Sequence, residues 1–204
     1  NNSRIARMIR IMLYLWFSVF IRVIRIHSCI SVNIKNMKNY DFIAIGDMTT
    51  DAFIRLSEAD VHCEINHDKC QICMPFGEKI PFKESIVVPA VGNSANAAVS
   101  ASRLGLTCAL VSFVGNDAHG KENLETLATE NVATEFVKIE DGKHSNYHYV
   151  LLYNSERTIL VKHEDFGYKL PDVGKPKWIY LSSLGASSLD FHAEIAKNIF
   201  KVKE

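Results

Sequence analysis

The chain has 204 residues, 48% of them hydrophobic and 23% charged, with a formal net charge of zero. This is an ordinary globular composition, long enough for one well-cored domain or one domain with a small appendage. The neutral balance averages two segments: seven of the 23 basic residues lie in 1–38 with no acid among them, which leaves 16 bases against 23 acids in the remainder. An acidic body lacks the basic face of a nucleic-acid binder, so no nucleic-acid partner is expected.

Residues 1–36 come first. A nearly unbroken apolar run from Ile11 to Ile21 is flanked by Arg4, Arg7, Arg10, Arg22 and Arg25. It is shorter than the about 18–20 apolar residues of a membrane span. A basic start and a short apolar run are compatible with a signal peptide or anchor, and with an amphipathic surface helix. The change of composition at Met37, just before a strand, favours an extension that belongs to no fold. Five cysteines (Cys29, Cys63, Cys70, Cys73 and Cys108) are an odd number, and Cys108 lies in an apolar run. No disulfide framework is expected from them, and the expected location is a reducing cytoplasm.

"YDFIAIGD" (40–47) is a short apolar run ending at a glycine, as expected of a buried strand, and "DAFIRL" (51–56) continues extended. Residues 57–90 hold short alternating pieces, with turns at Asn66-His67-Asp68 and Gly77-Glu78. A helix is expected from about Ser94 to Leu104, closed by Gly105. "TCALVSFVG" (107–115) is a second buried strand, 117–131 a helix, and 134–139 an extended piece. The β-rich runs 146–153 and 157–163, joined at Asn154-Ser155-Glu156, form a hairpin. "KWIYLSSLG" (177–185) is a third buried strand. An amphipathic helix over 188–203 follows, with Phe191, Ile195, Ile199 and Val202 on one face.

Strand–helix alternation implies an α/β domain with a mainly parallel sheet. The polar-looking strands at about 52–90 and 134–163 interrupt that rhythm and form a separate small sheet leaning on it. The domain accordingly runs over 37–204. Three clear core strands leave an open sheet edge, so the chain is expected to be a fragment whose C-terminal part is missing.

The helix start at "VGNSAN" (91–96) carries the chemistry. First-turn N–H groups are unpaired, and Gly92 lets the backbone approach a bound molecule. Ala97, Ala98 and Ala101 let the helix pack closely on the sheet. The amides of Asn93 and Asn96 both donate and accept, which suits neutral hydroxyls. The bland alternative is a small-residue helix with Asn93 as its N-cap. Asp51 lies beyond the first buried strand, where open α/β sheets bind ligands, and its alternative is a turn residue.

Together these residues resemble the ribokinase-like (PfkB) carbohydrate kinase family. The matching pieces are Val91-Gly92-Asn93-Ser94-Ala95-Asn96, Arg103-Leu104-Gly105, and Val114-Gly115-Asn116-Asp117-Ala118-His119-Gly120. The resemblance runs from about Tyr40 onward, and departs at Val91, where the family usually has a glycine. It implies a three-layer αβα fold with a β-sheet lid that often forms a homodimer contact. It implies transfer of the ATP γ-phosphoryl group, with Mg²⁺, to a hydroxyl of a sugar or nucleoside. It places Asp51, Gly92, Asn93 and Asn96 at the substrate, with Arg157 as an outer contact whose bland alternative is a surface charge. The family's Gly-Ala-Gly-Asp signature, with its anion hole and catalytic Asp, does not occur in these residues. By this reading the chain itself holds neither the ATP site nor the catalytic base, and a non-catalytic sugar-binding module or relic is the alternative.

Two rival readings are weaker. Gly115-x-x-x-x-Gly120-Lys121 approaches a P-loop, but Glu122 replaces the Mg²⁺-binding hydroxyl and Asp117 would repel phosphate. Cys63, Cys70 and Cys73 with His62 and His67 have zinc-like spacing, but only one Cys-x-x-Cys is present. Removal of residues 1–36 is expected to leave the thermal midpoint unchanged within a few degrees, measured by circular dichroism against the full chain.

Overall fold

A computed structural model describes residues 39–64 and 69–201. The extension at 1–36 and the turn at 66–68 lie outside these residues. β1 (Phe42–Ile45) is central to the main sheet. It pairs in parallel with β6 (Cys108–Gly115) on one side and β11 (Trp178–Leu181) on the other. Beyond β6 lie β7 (Val132–Ala133) and β8 (Val137–Glu140), both also parallel to it. The expected extended piece at 134–139 therefore belongs to the main sheet and not to the lid. Its half-polar pattern is that of an edge strand, which alternation alone cannot distinguish from a lid strand.

Helices cover both faces. On one face α1 (Asn93–Arg103) and α2 (Ala118–Thr129) pack on Ala44, Leu110 and Val114. α1 buries Ala95, Ala98 and Ala101, whereas Ala97 is only half-buried, so the close-packed row includes Ala95 in place of Ala97. On the other face α3 (Leu189–Lys201) buries Phe191 and Ile195 against Ile43, Ile45, Val111 and Phe113. Placed between two helical layers, all eight residues of β6 are buried, which accounts for its uninterrupted apolar run. Among the described residues no helix is long and apolar enough to cross a membrane.

The lid is a four-stranded sheet of β10 (Glu156–Leu160), β9 (Tyr147–Tyr153), β2 (Thr49–Leu56) and β5 (Phe82–Val91), in that order. The turn joining β9 to β10 has positive φ at Asn154 and Ser155, as a tight hairpin requires. Between β2 and β5 a separate hairpin of β3 (Asp60–Cys63) and β4 (Cys70–Cys73) projects, and its antiparallel register sets Cys63 opposite Cys70. These two cysteines form a disulfide with their Cα atoms 4.0 Å apart. This corrects the expectation of unpaired cysteines, and it takes two of the three thiols from the metal-ligand alternative. Cys73 and Cys108 are free thiols.

β5 enters the core through a bulge. Thr49 pairs with Val91 and Asp51 with Val88, so one residue of β2 faces Pro89 and Ala90 together. Ala90 adopts φ 53°, a left-handed conformation that costs a residue with a Cβ about 1–2 kcal/mol. The fully buried side chain of Asn123 in α2 holds it there. Its Oδ1 accepts from the Ala90 N–H at 2.7 Å and from the Thr50 hydroxyl at 2.9 Å. Helix α2 thereby clamps the root of two lid strands. Asn123→Leu leaves both donors buried and unpaired, at about 1–3 kcal/mol each. The expected loss of stability is about 2–4 kcal/mol, read as a lower thermal midpoint, whereas Asn116→Ala on the exposed loop shifts it by a degree or less.

Candidate functional site

The site is built at the C-terminal ends of β1 and β11, where the chain leaves the sheet in loops. The turn after β1 presents Asp47, which is only 7% exposed. Its carboxylate accepts the Gly185 N–H at 2.6 Å and the Tyr168 hydroxyl at 3.1 Å, and His163 Nδ1 lies 3.5 Å away. Burial, and then the neighbouring Asp47 carboxylate, push the Tyr168 phenol up, so it stays a neutral donor. The Asp47 N–H donates to the Ser183 carbonyl at 3.1 Å, and its own carbonyl accepts the Ser94 hydroxyl at 3.0 Å.

That last bond draws the start of α1 against the turn. Gly92 is the residue before the helix, with φ 107° and ψ 161°. A Cβ there would stand 2.9 Å from the Asp47 carbonyl oxygen. The position thus demands glycine twice over, by conformation and by space. Val91 has no positive φ, so its departure from the family pattern costs no backbone strain. Asn93 is the first helical residue and makes no capping bond, which sets aside its N-cap alternative. Its Nδ2 donates instead to Ser183 Oγ at 3.1 Å, joining the helix start to the loop after β11. Asn96 lies one turn on and is half-buried.

Asp51 is the third residue of β2, not a turn residue, and pairs laterally with His148 of β9. Parallel register sets both side chains on the same face of the lid, with Asp51 Oδ1 3.3 Å from His148 Nδ1. That approach aside, Asp51 Oδ1 has no hydrogen-bond partner, and His148 Nε2 is buried with none. Arg157 is exposed on β10, opposite Leu152, which in turn is level with Arg55. It lies four residues along the strand from the level of Asp51, about 13 Å away at about 3.3 Å per residue. The structure thus brings Gly92 and Asn93 to the Asp47 turn and its Ser183 loop, links Asp51 to that turn through His148 and His163, and leaves Arg157 apart.

Sequence reasoning missed Asp47, His148, His163 and Tyr168. Asp47 carried a faint signal as the acid after the strand-ending glycine, while the other three become neighbours only through strand pairing and a long extended segment. The glycines of the P-loop-like stretch are structural. Asp117 caps α2 by accepting the Gly120 N–H at 2.8 Å, and it also accepts the Ser145 N–H and hydroxyl at 2.9 and 2.7 Å. Burial pushes its carboxyl up, but these hydrogen bonds outweigh burial and hold it below its ordinary range. A Cβ on Gly120 would run into the Gly115 carbonyl, so the turn closes on itself and on Asp117.

Comparison with known proteins adds four findings. A sequence model described as pfkB family carbohydrate kinase matches residues 57–204. An uncharacterized sugar kinase of Pyrococcus horikoshii is 38% identical over 77 residues, covering 38% of this chain and 24% of that protein. The structure of Arabidopsis thaliana ribokinase complexed with ribose and ATP is similar over 61% of this chain and 36% of that one, with a TM-score of 0.49 and 20% identity. Halothermothrix orenii fructokinase is similar over 61% of this chain and 38% of its own, with a TM-score of 0.44 and 22% identity. The chain thus spans about a quarter to two fifths of these relatives.

The double demand at Gly92 can be separated by substitution. Gly142 also has a positive φ, of 73°, but a Cβ there meets nothing within 4 Å. Gly142→Ala is expected to cost about 1 kcal/mol from conformation alone, and Gly92→Ala about 2–4 kcal/mol, because it also displaces the Asp47 turn. Thermal or urea unfolding of the two variants checks the difference.

Proposed function

This chain belongs to the pfkB family of carbohydrate kinases, and from that premise we propose that it carries the substrate-binding part of a kinase. The whole protein would transfer the γ-phosphoryl group of ATP, with Mg²⁺, to a hydroxyl of a sugar or nucleoside. The observation that carries this reading is the Asp51 carboxylate, which is largely buried and whose Oδ1 has only the His148 ring nitrogen, 3.3 Å away, beside it. A buried carboxylate met by so few donors is costly, and a polyol hydroxyl is a donor of the right size and polarity to complete its shell.

Each residue then has a distinct task. Asp51 accepts hydrogen bonds from hydroxyls and fixes the face of the substrate that turns to the lid. Gly92 removes the side chain that would keep a ligand off the backbone. Asn93 and Asn96 supply amides that donate to and accept from neutral hydroxyls. Arg157, further along the lid, is proposed as an outer contact. The nucleotide site and the base that deprotonates the acceptor are assigned to no residue of this chain, because the signature that carries them in the family is not among its residues. Phosphoryl transfer depends on positioning and preorganised charge around the transferring group, so these 204 residues alone are expected to bind substrate without turnover. The exposed Val87 and Leu160, on the lid face turned away from Asp51, are the proposed contact for a second copy.

Titration calorimetry of the full chain with pentoses, hexoses and nucleosides tests the reading. At least one should bind, and Asp51→Asn should weaken it by about tenfold to a hundredfold, the worth of one charge-assisted hydrogen bond. Binding of none of them, or equal binding by Asp51→Asn, would overturn the assignment.

A further inference from the structure

We infer that His148 is a specificity-determining residue which, beside Asp51, makes a two-point site for neighbouring hydroxyls of the acceptor, a vicinal diol. The inference rests on the substrate-binding role proposed above and extends it to a residue outside the family signatures quoted for this chain.

Three observations carry it. The first is register. Asp51 and His148 are lateral partners on parallel strands, so their side chains leave the lid side by side on one face, with Oδ1 and Nδ1 3.3 Å apart. The second is unmet hydrogen bonding. His148 Nε2 is buried without a partner, and Asp51 Oδ1 makes no hydrogen bond beyond its approach to His148 Nδ1, so the pair keeps the capacity to meet a ligand with two adjacent hydroxyls. A carboxylate only accepts, whereas an imidazole can donate at one nitrogen and accept at the other. One hydroxyl can donate a hydrogen bond to Asp51 while its neighbour exchanges a hydrogen bond with the ring.

The third is support from behind. The His163 ring meets the His148 ring edge to face, with centroids 5.2 Å apart. His163 Nδ1 lies 3.5 Å from Asp47, whose carboxylate is held by Gly185 and Tyr168. The His148 ring plane is therefore fixed relative to the turn that also receives Gly92 and Ser94. A side chain braced in this way gains orientation at little cost on binding.

A histidine with a purely structural role would leave ligand preference untouched, so the test reads preference as well as affinity. The full chain is titrated with the best-binding sugar or nucleoside and with its monodeoxy analogues, for the unmodified protein and for His148→Ala, His148→Gln and Asp51→Asn. Loss of one particular hydroxyl next to that bound by Asp51 is expected to cost the unmodified chain about tenfold or more. His148→Ala should lose a similar factor toward the parent sugar and no longer distinguish that deoxy analogue. His148→Gln, which keeps a donor and an acceptor, should recover part of the difference. If His148→Ala binds the parent sugar normally, or still discriminates the analogue, the inference is wrong. If the unmodified chain binds every monodeoxy analogue as well as the parent, it is wrong without recourse to any variant. Loss of binding in Asp51→Asn together with normal binding in His148→Ala would remove this inference and leave the proposed function standing. Failure of the unmodified chain to bind any sugar or nucleoside would remove both.

Discussion

A carboxylate withdrawn from water must be met by donors, and Asp47 is the point on which this structure turns. Its side chain is met by Gly185, Tyr168 and His163, its N–H by Ser183, and its carbonyl by Ser94. One residue thereby ties together the β1 turn, the start of α1, the loop after β11 and the extended segment near 163–168. The relative placement of Gly92, Asn93 and the lid strand bearing Asp51 follows from that knot. The knot also explains why an acidic residue is tolerated in so enclosed a place, since loss of its side chain would leave the Gly185 N–H and the Tyr168 hydroxyl without their acceptor.

The second constraint is at the root of the lid. Ala90 pays for a left-handed backbone, and the Asn123 amide that accepts its N–H also accepts from Thr50. The bulge turns β5 from the lid into the line of α1, so the strain lies where the direction of the chain must change. Pro89 fits there because a bulge on an edge strand asks for no ladder hydrogen bond from it. Lid and main sheet are joined at this corner by the Asn123 contacts, by Ala90 in the apolar cluster under α1 and α2, and by the short connections from β1 to β2 and from β5 to α1.

What could be read in the sequence was what depends on local pattern. The apolar runs of β1 and β6 and the small-residue face of α1 announced buried elements, and the spacing around Gly92, Asn96 and Gly120 carried the family. What depends on pairing between distant strands could not be read. His148 meets Asp51 only because β9 lies parallel to β2 in one register, and a shift of a single residue would turn it to the other face. Cys63 and Cys70 are partners for the same kind of reason, set by a hairpin register. The strand over 137–140 was misplaced because a main-sheet edge and a lid strand share the same half-polar alternation. Arg157 was legible as a charge on a lid strand, but its distance from Asp51 is again a matter of register.

The central strand has a further consequence for how the chain is made. β1 is the first of the described strands, and its partner β6 follows only after β2, β3, β4, β5 and α1, so even this pairing closes a long loop. Its other edge pairs Phe42 with Trp178, which is synthesised only after the whole lid. Until then one side of β1 exposes unpaired backbone and half of its apolar face, the condition that recruits chaperones and invites wrong pairing. Closing so long a loop late is slow in itself. The Asp47 knot cannot be tied before Gly185 arrives, so the site takes shape only after the lid strands and β11 have been made.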